Sequence, residues 1–338
     1  MKWKKKLEDS WMHTEKQRGL NSMDVVTFGE SMVVFNGDVT GPLRYIHNFA
    51  KSLGGAESNV ATAIAKLNHT VGWFSKVSDD EFGKFVINSI RAEGVDTSRV
   101  LVDKERTTGL LFKEHYQRSN PNVYYYRKNS AASSLSPEDI DEEYIKSAKI
   151  LHLTGITPAL SQSCREAVYK AIDIAKKNGV LVSFDPNIRL KLWTLEEAKE
   201  VLIDIANRAD IVMPGLDEAE LLLGLKDKDE VADYFLSKEA KIVAIKLGAD
   251  GCYIKTREEG IVIPGYNVSD IIQDTAGAGD GFAAGFLSGY LENLSLKEIG
   301  EYANGVGAMA TLVQGDMEGY PHYDQLMEFI GKKQGIER

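Results

Sequence analysis

Past Asp24, short apolar runs alternate with longer amphipathic stretches, and this alternation constrains the fold more than any other feature of the chain. Residues 25–28, 71–77, 150–153, 180–184, 211–213 and 242–246 read as buried strands. Between them, residues 59–67, 81–93 and 161–178 carry apolar side chains at helical spacing. Asn68, Gly94 and Gly179 stand where a left-handed residue would end those helices. Thr194-Leu195-Glu196-Glu197 and Ser295-Leu296-Lys297-Glu298 match the capping box, and Ser136-Pro137 sets an N-cap before a proline at the first helical position. Strands alternating with helices predict βαβ units and an α/β fold whose mostly parallel sheet is covered on both faces.

Two stretches break the rhythm. Residues 31–47 and 107–128 lack a helical period and are rich in β-branched and aromatic residues. They are expected to form a small antiparallel sheet inserted as a lid. No repeat or Pro/Gly/Ser linker divides the chain, so one domain over residues 23–338 is expected. Residues 1–22, with six basic and three acidic side chains, read as a loosely attached extension and not as a signal peptide, because no apolar core follows the lysines.

Composition narrows the function classes. Hydrophobic residues at 43% and charged residues at 27% suit a packed core and exclude disorder throughout. The net charge of −10 argues against a nucleic-acid backbone binder, which needs a basic surface. No apolar run is long enough to span a membrane. Cys164 and Cys252 form no CxxC pair, which excludes a disulfide scaffold and points to a reducing, cytoplasmic setting. The six histidines show no metal-ligand spacing, and the GxxxxGK[ST] and GxGxxG phosphate motifs are absent.

The chemistry-bearing segment is Asp274-Thr275-Ala276-Gly277-Ala278-Gly279-Asp280-Gly281, which runs into an apolar helix. Small residues let backbone N–H groups approach an anion, and the helix dipole points at the same place. Asp280 then sets a carboxylate beside that anion hole, an arrangement suited to phosphoryl transfer. Spacing alone equally describes a Gly-rich turn with Asp280 as a helix cap. Gly54-Gly55-Ala56-Glu57-Ser58-Asn59 is a second Gly pair entering a helix, readable as a ligand loop or as a tight capped turn. Along a strand, Tyr124-Tyr125-Tyr126-Arg127 would place Tyr125 and Arg127 on one face, which suits a sugar bearing a carboxylate or a cross-strand aromatic cluster. Asp185-Pro186-Asn187-Ile188-Arg189 follows a strand at the end where open α/β sheets bind ligands. The Lys246–Gly251 stretch follows another, as a nucleotide loop or a simple hairpin.

Taken in order, these segments resemble the ribokinase-like (PfkB) carbohydrate kinases, over residues 23 to the C-terminus. DTAGAGDG is similar to their C-terminal signature and GGAESNVATAIAKLN to their N-terminal one. The resemblance implies a three-layer α/β sandwich with a small β-sheet lid, ATP and Mg2+ as cofactors, and a homo-oligomer paired through the lid. Within the family, YYYRKNSAAS, LTGITPAL, FDPNIRLKLW and GDMEGYP look like the kinases of 2-keto-3-deoxygluconate. The implied reaction is therefore phosphorylation of that acid at its terminal hydroxyl, with a neutral ketose such as fructose, or a silent sugar-acid sensor, as alternatives.

Carried onto this chain, the resemblance makes Asp280 the base and gives the sugar acid to Gly55, Ala56, Glu57, Ser58, Asn59, Tyr125, Arg127 and Arg189. Gly277, Ala278 and Gly279 would form the anion hole, and Asn187, Lys246, Gly248, Gly251 and Asn304 would meet ATP. The family's Asn-x-x-Glu motif reads Gly215-Leu216-Asp217-Glu218 here, so Glu218 is the indirect Mg2+ candidate and the Asn is missing.

Overall fold

A computed structural model describes residues 23–114 and 122–333 of the chain. The basic extension and the middle of the second lid segment lie outside the described residues. In chain order the strands are β1 (Met23–Phe28), β2 (Met32–Gly37), β3 (Phe49–Gly54), β4 (Val71–Phe74), β5 (Lys76–Ser78), β6 (Leu101–Asp103) and β7 (Leu110–Glu114). They continue with β8 (Asn122–Tyr126), β9 (Ala148–Thr154), β10 (Leu181–Asp185), β11 (Ile211–Val212), β12 (Ile242–Lys246), β13 (Gly251–Lys255) and β14 (Gly260–Pro264).

Eight of them form one sheet in the order β14-β13-β12-β11-β10-β9-β1-β4. Its pairings from β4 to β12 are parallel, and β12-β13-β14 is an antiparallel meander at one edge. Strands such as β4 and β9 are apolar and buried almost throughout, as a sheet covered on both faces requires. Two apolar layers flank it. On one side Val26, Phe28, Leu151, Val182 and Phe184 pack with the helices α3 (Gln162–Lys177) and α4 (Leu195–Arg208). On the other, Val25, Trp73, Ile150, Ile242 and Ile254 pack against α1 (Ala56–Lys66), α2 (Glu81–Ala92), α6 (Ala278–Leu291) and α7 (Leu296–Ala310), while α5 (Leu216–Leu223) joins the first layer through Ala219 and Leu222.

Local signals were legible. Both capping boxes form, at Thr194 and Ser295. Asn68, Gly94 and Gly179 all take positive φ at helix ends. Ser136-Pro137, by contrast, opens only a 3-10 turn, Pro137–Asp139, closed on itself by the Asp139 carboxylate. The 71–77 run splits at Ser75. β4 stays in the main sheet, and β5 pairs with β6 in a separate two-stranded ribbon.

The second sheet, β3-β2-β7-β8, departs from the expected all-antiparallel pattern. β2–β3 and β7–β8 are antiparallel hairpins, but β2 and β7 join in parallel. Both leave the body in the same direction, with α1, β4 and α2 between them in sequence. The third strand, Phe49–Gly54, begins beyond residue 47, and a 3-10 turn at Leu43–Tyr45 occupies the end of the expected segment. Phe35, Phe49, Phe112 and Tyr126 stack edge and face across this sheet and hold the hairpins together.

Candidate active site

The loop from Asp274 to Gly277 turns sharply into α6. Gly277 has φ +75°, and a Cβ there would lie 2.0 Å from the Asp316 carbonyl oxygen, so only glycine fits. Tyr320 donates its hydroxyl to the Gly277 carbonyl at 2.8 Å. Asp274 shapes the turn: Oδ1 accepts the Ala276 N–H at 3.0 Å, and Oδ2 accepts the Gly315 N–H at 3.4 Å. Gly277 lines one cavity and Ala278 and Gly279 another, and first-turn helix amides lack a partner four residues back, so this end of α6 is suited to an anion.

Asp280 lies in that first turn, buried. Its Oδ2 accepts Asn59 Nδ2 at 2.8 Å and its Oδ1 accepts Asn187 Nδ2 at 3.4 Å. Burial pushes its carboxyl up to about 7, and the nearby Asp185 charge acts in the same direction. The Asn59 hydrogen bond and the Arg189 and Lys246 charges hold it from rising further. A buried carboxylate poised near neutrality is what a general base at physiological pH requires.

Two cavities meet at this loop, with Thr275 lining both. The larger, about 650 Å³, is mostly apolar and is bounded by the Lys246–Gly251 turn, Tyr266, Ala278, Gly279, Phe282 and Asn304. That turn is indeed a hairpin, joining antiparallel β12 and β13, and it is also a cavity wall. Asn304 is fixed by donating Nδ2 to the Ile263 and Pro264 carbonyls at 3.1 and 3.0 Å. Lys246 lines the larger cavity, but its ammonium is already engaged, donating to both Asp185 oxygens at 2.7 and 2.8 Å. Burial pulls its pKa down, but Asp185, Glu218 and Asp280 outweigh that and raise it.

The smaller cavity, about 260 Å³, brings together Gly55, Ala56, Asn59, Tyr125, Arg127, Arg189, Gly277 and Asp280. Tyr125 and Arg127 do share the inner face of the lid, as the strand alternation predicts. Arg127 is held by Glu30: Nε donates to Glu30 Oε2 at 2.6 Å, and its Nη2 pairs with the same oxygen. Arg189 donates to the Ile188 carbonyl at 3.0 Å and makes no ion pair among the described residues.

Three predicted site residues stand elsewhere. Glu57 and Ser58 point behind the cavity, not into it. Glu57 Oε1 accepts the hydroxyls of Thr154 and Thr157 at 2.6 and 2.7 Å, and Ser58 exchanges hydrogen bonds with Ser31 and the Gly55 carbonyl. A helix turns successive side chains about 100°, so α1 shows the cavity Ala56 and Asn59 but not the pair between them. Asn187 lines neither cavity and instead meets Asp280, at φ +39°.

Glu218 accepts the Ile188 N–H on Oε1 and the Gly215 N–H on Oε2, both at 2.8 Å. It therefore caps its own helix α5 with its carboxylate. Among the described residues no group of three or more His, Cys, Asp or Glu is placed to hold a metal ion. This donor set fits a hydrated cation resting on phosphates better than an all-protein cage, the usual habit of Mg2+.

The sequence reading missed Glu30 and Lys113, and it gave no site role to Asp185, Asp274 or Asp316 although each lies in a segment it singled out. A lysine within Leu110-Leu111-Phe112-Lys113 was the available signal, since an ammonium in an apolar strand needs a buried partner.

Residues 22–322 match the model of the pfkB family carbohydrate kinases. The chain is 42% identical to the 2-dehydro-3-deoxygluconokinase of Bacillus subtilis, over 94% of this chain and 98% of that one. The fold is similar to a putative ribokinase II from E. coli solved with ATP and Mg2+ (TM-score 0.86, 28% identity, 92% of this chain and 100% of that one). It is likewise similar to the 2-dehydro-3-deoxygluconokinase of Thermotoga maritima (TM-score 0.83, 25% identity, 92% and 98%).

Proposed function

The chain belongs to the pfkB family of carbohydrate kinases, and from that premise we propose that it transfers the γ-phosphoryl group of ATP to the terminal hydroxyl of 2-keto-3-deoxygluconate, giving 2-keto-3-deoxy-6-phosphogluconate. The observation that carries this reading is the presence in one small cavity of Arg189, a cation with no ion pair among the described residues, and the buried carboxylate Asp280. A sugar acid needs both: a guanidinium for its carboxylate and a base for its far hydroxyl.

ATP occupies the larger cavity, its base among the apolar residues near Tyr266 and its phosphates toward Lys246 and the first-turn amides of α6. The sugar acid fills the smaller cavity under Tyr125, with Arg189 on its carboxylate and Arg127 held in reserve by Glu30. Asp280 takes the proton from the acceptor hydroxyl as its oxygen attacks the γ-phosphorus and the bond to the β-phosphate breaks, leaving ADP. The amides of residues 277–279 stabilise the charge that grows on the transferring group. Mg2+ supplies charge neutralisation on the phosphates, and Glu218, with both oxygens already accepting N–H groups, would hold it through water.

Exposed aromatics on and beside the second sheet, Tyr126 of β8 at 65% and Tyr45 in the turn between β2 and β3 at 66%, support a homodimer paired through the lids. Both cysteines are buried and in the free thiol state, in keeping with a cytoplasmic enzyme. The test is ADP release measured against a panel of sugars and sugar acids. Preference for 2-keto-3-deoxygluconate is expected. Equal use of fructose overturns the acceptor, and no turnover with any member of the panel overturns the kinase in favour of a sensor.

A further inference from the structure

Four carboxylates line the smaller cavity: Glu30, Asp274, Asp280 and Asp316. An anion entering a cavity walled by ionised carboxylates is repelled, and the repulsion is strong because little water screens it. Glu30 is neutralised by Arg127, and Asp280 is poised near neutrality. Asp274 and Asp316 are left, and one side chain serves both. Lys113, on β7, is buried, with Nζ 2.5 Å from Asp316 Oδ1 and 3.3 Å from Asp274 Oδ2. It also lines the cavity. Of the three cations there, Arg127 is committed to Glu30 and Arg189 is exposed, so neither replaces it.

We infer that Lys113 is a specificity-determining residue: by neutralising Asp274 and Asp316 together, it makes the acceptor cavity tolerant of an anionic substrate. Burial weakens the ammonium, but Asp316 and Asp274 raise its pKa above the ordinary value, so the charge stays in place at neutral pH. The second effect of Lys113 is mechanical. It ties the lid strand to the residue that shapes the anion-hole turn and to the loop whose carbonyl abuts Gly277. A purely structural tether would, when cut, weaken every acceptor alike. A charge-balancing residue discriminates by acceptor charge.

This inference rests on the sugar-acid reading, and the experiment separates the two. The full-length enzyme and Lys113→Met are assayed for kcat/KM with 2-keto-3-deoxygluconate and with its neutral methyl ester. The variant should lose about tenfold or more on the acid beyond any loss on the ester, and Lys113→Arg should keep the acid-to-ester ratio within about threefold of the parent. Equal losses on acid and ester, or no loss, overturn the inference while leaving the acceptor reading intact. A parent enzyme that accepts no anionic sugar overturns both. If Lys113→Met does not fold, Lys113→Met with Asp316→Asn still leaves Asp274 without a cation, and the acid should lose at least about threefold against the ester. An unchanged ratio in that double variant overturns the inference as well.

Discussion

Asn59 Nδ2 lies 2.8 Å from Asp280 Oδ2, so the first turns of two helices 221 residues apart in sequence meet at one hydrogen bond. One end of the bond belongs to α1, which follows the Gly-Gly pair, and the other to α6, which follows the Gly-rich loop, and the two pack side by side in one apolar layer. The bond fixes where the Asp280 carboxylate points and moderates its basicity.

Replacing Asp280 with Asn should leave ATP and sugar affinity close to the parent and reduce kcat by about 10²–10⁴-fold, because an amide cannot take the acceptor proton. Purified variant turnover within threefold of the parent would remove Asp280 from the role of base.

The same carboxyl sets a pH dependence. With a value of about 7 in the free enzyme, kcat/KM should rise with pH and level off above that point. Asn59→Ala removes a hydrogen bond that lowers the value, so its inflection should move to higher pH. Stability runs the other way. The folded carboxyl holds its proton to about 7 whereas an unfolded one releases it near 4, so the fold loses stability as pH rises through that window. Asp280→Asn should therefore melt a few degrees above the parent at pH 8, with the gap closing toward pH 4. Thermal melts at both pH values check the sign.

The two arginines should separate. Arg189→Ala should raise KM for the sugar acid by on the order of 30-fold with an unchanged melting temperature, since hydrogen bonds to a charged group contribute about 1.5–3 kcal/mol and Arg189 has no ion pair among the described residues to lose. Arg127→Ala strands the buried Glu30 carboxylate and should also destabilise the fold, by about 3–5 kcal/mol. Paired KM and denaturation measurements distinguish them, and a stable Arg127→Ala enzyme would contradict the Glu30 pairing.

Gly277→Ala should abolish most turnover, by about 10²-fold or more, because the new methyl displaces the Asp316 carbonyl and with it the turn that aims the amides. ATP binding measured by calorimetry should weaken less than kcat falls.

Light scattering at micromolar concentration should report a dimer, and Tyr126→Asp, on the exposed lid face, should shift it toward monomer. A parent enzyme that is a fully active monomer refutes lid pairing.

What the sequence disclosed and what it withheld follow from the range of each signal. Capping at Thr194 and Ser295, the left-handed Asn68, and the Gly-rich entry to α6 are decided by a few neighbouring residues, and all were legible. Glu57 was misplaced because its motif neighbours do reach the cavity, and only the helical rotation turns it toward Thr154 and Thr157. Lys113 and Asp316 could not be paired from sequence: they lie 203 residues apart, and although Asp316 sits in the GDMEGYP segment, nothing local to either residue names the other as its partner. The parallel seam between β2 and β7 was hidden for a related reason. Alternation reveals a strand and its faces but not the direction of its neighbour.

That seam has a consequence for how the second sheet can move. Glu30 sits in the short link where the chain leaves the main sheet for β2, and Arg127 sits where it returns from β8. Their ion pair cross-braces the outgoing and incoming strands at the root of the sheet. With β2 and β7 zipped side by side beyond that brace, the two hairpins form one continuous plate, so any displacement of Tyr125 on β8 must be shared with β2 and β3 or break the seam.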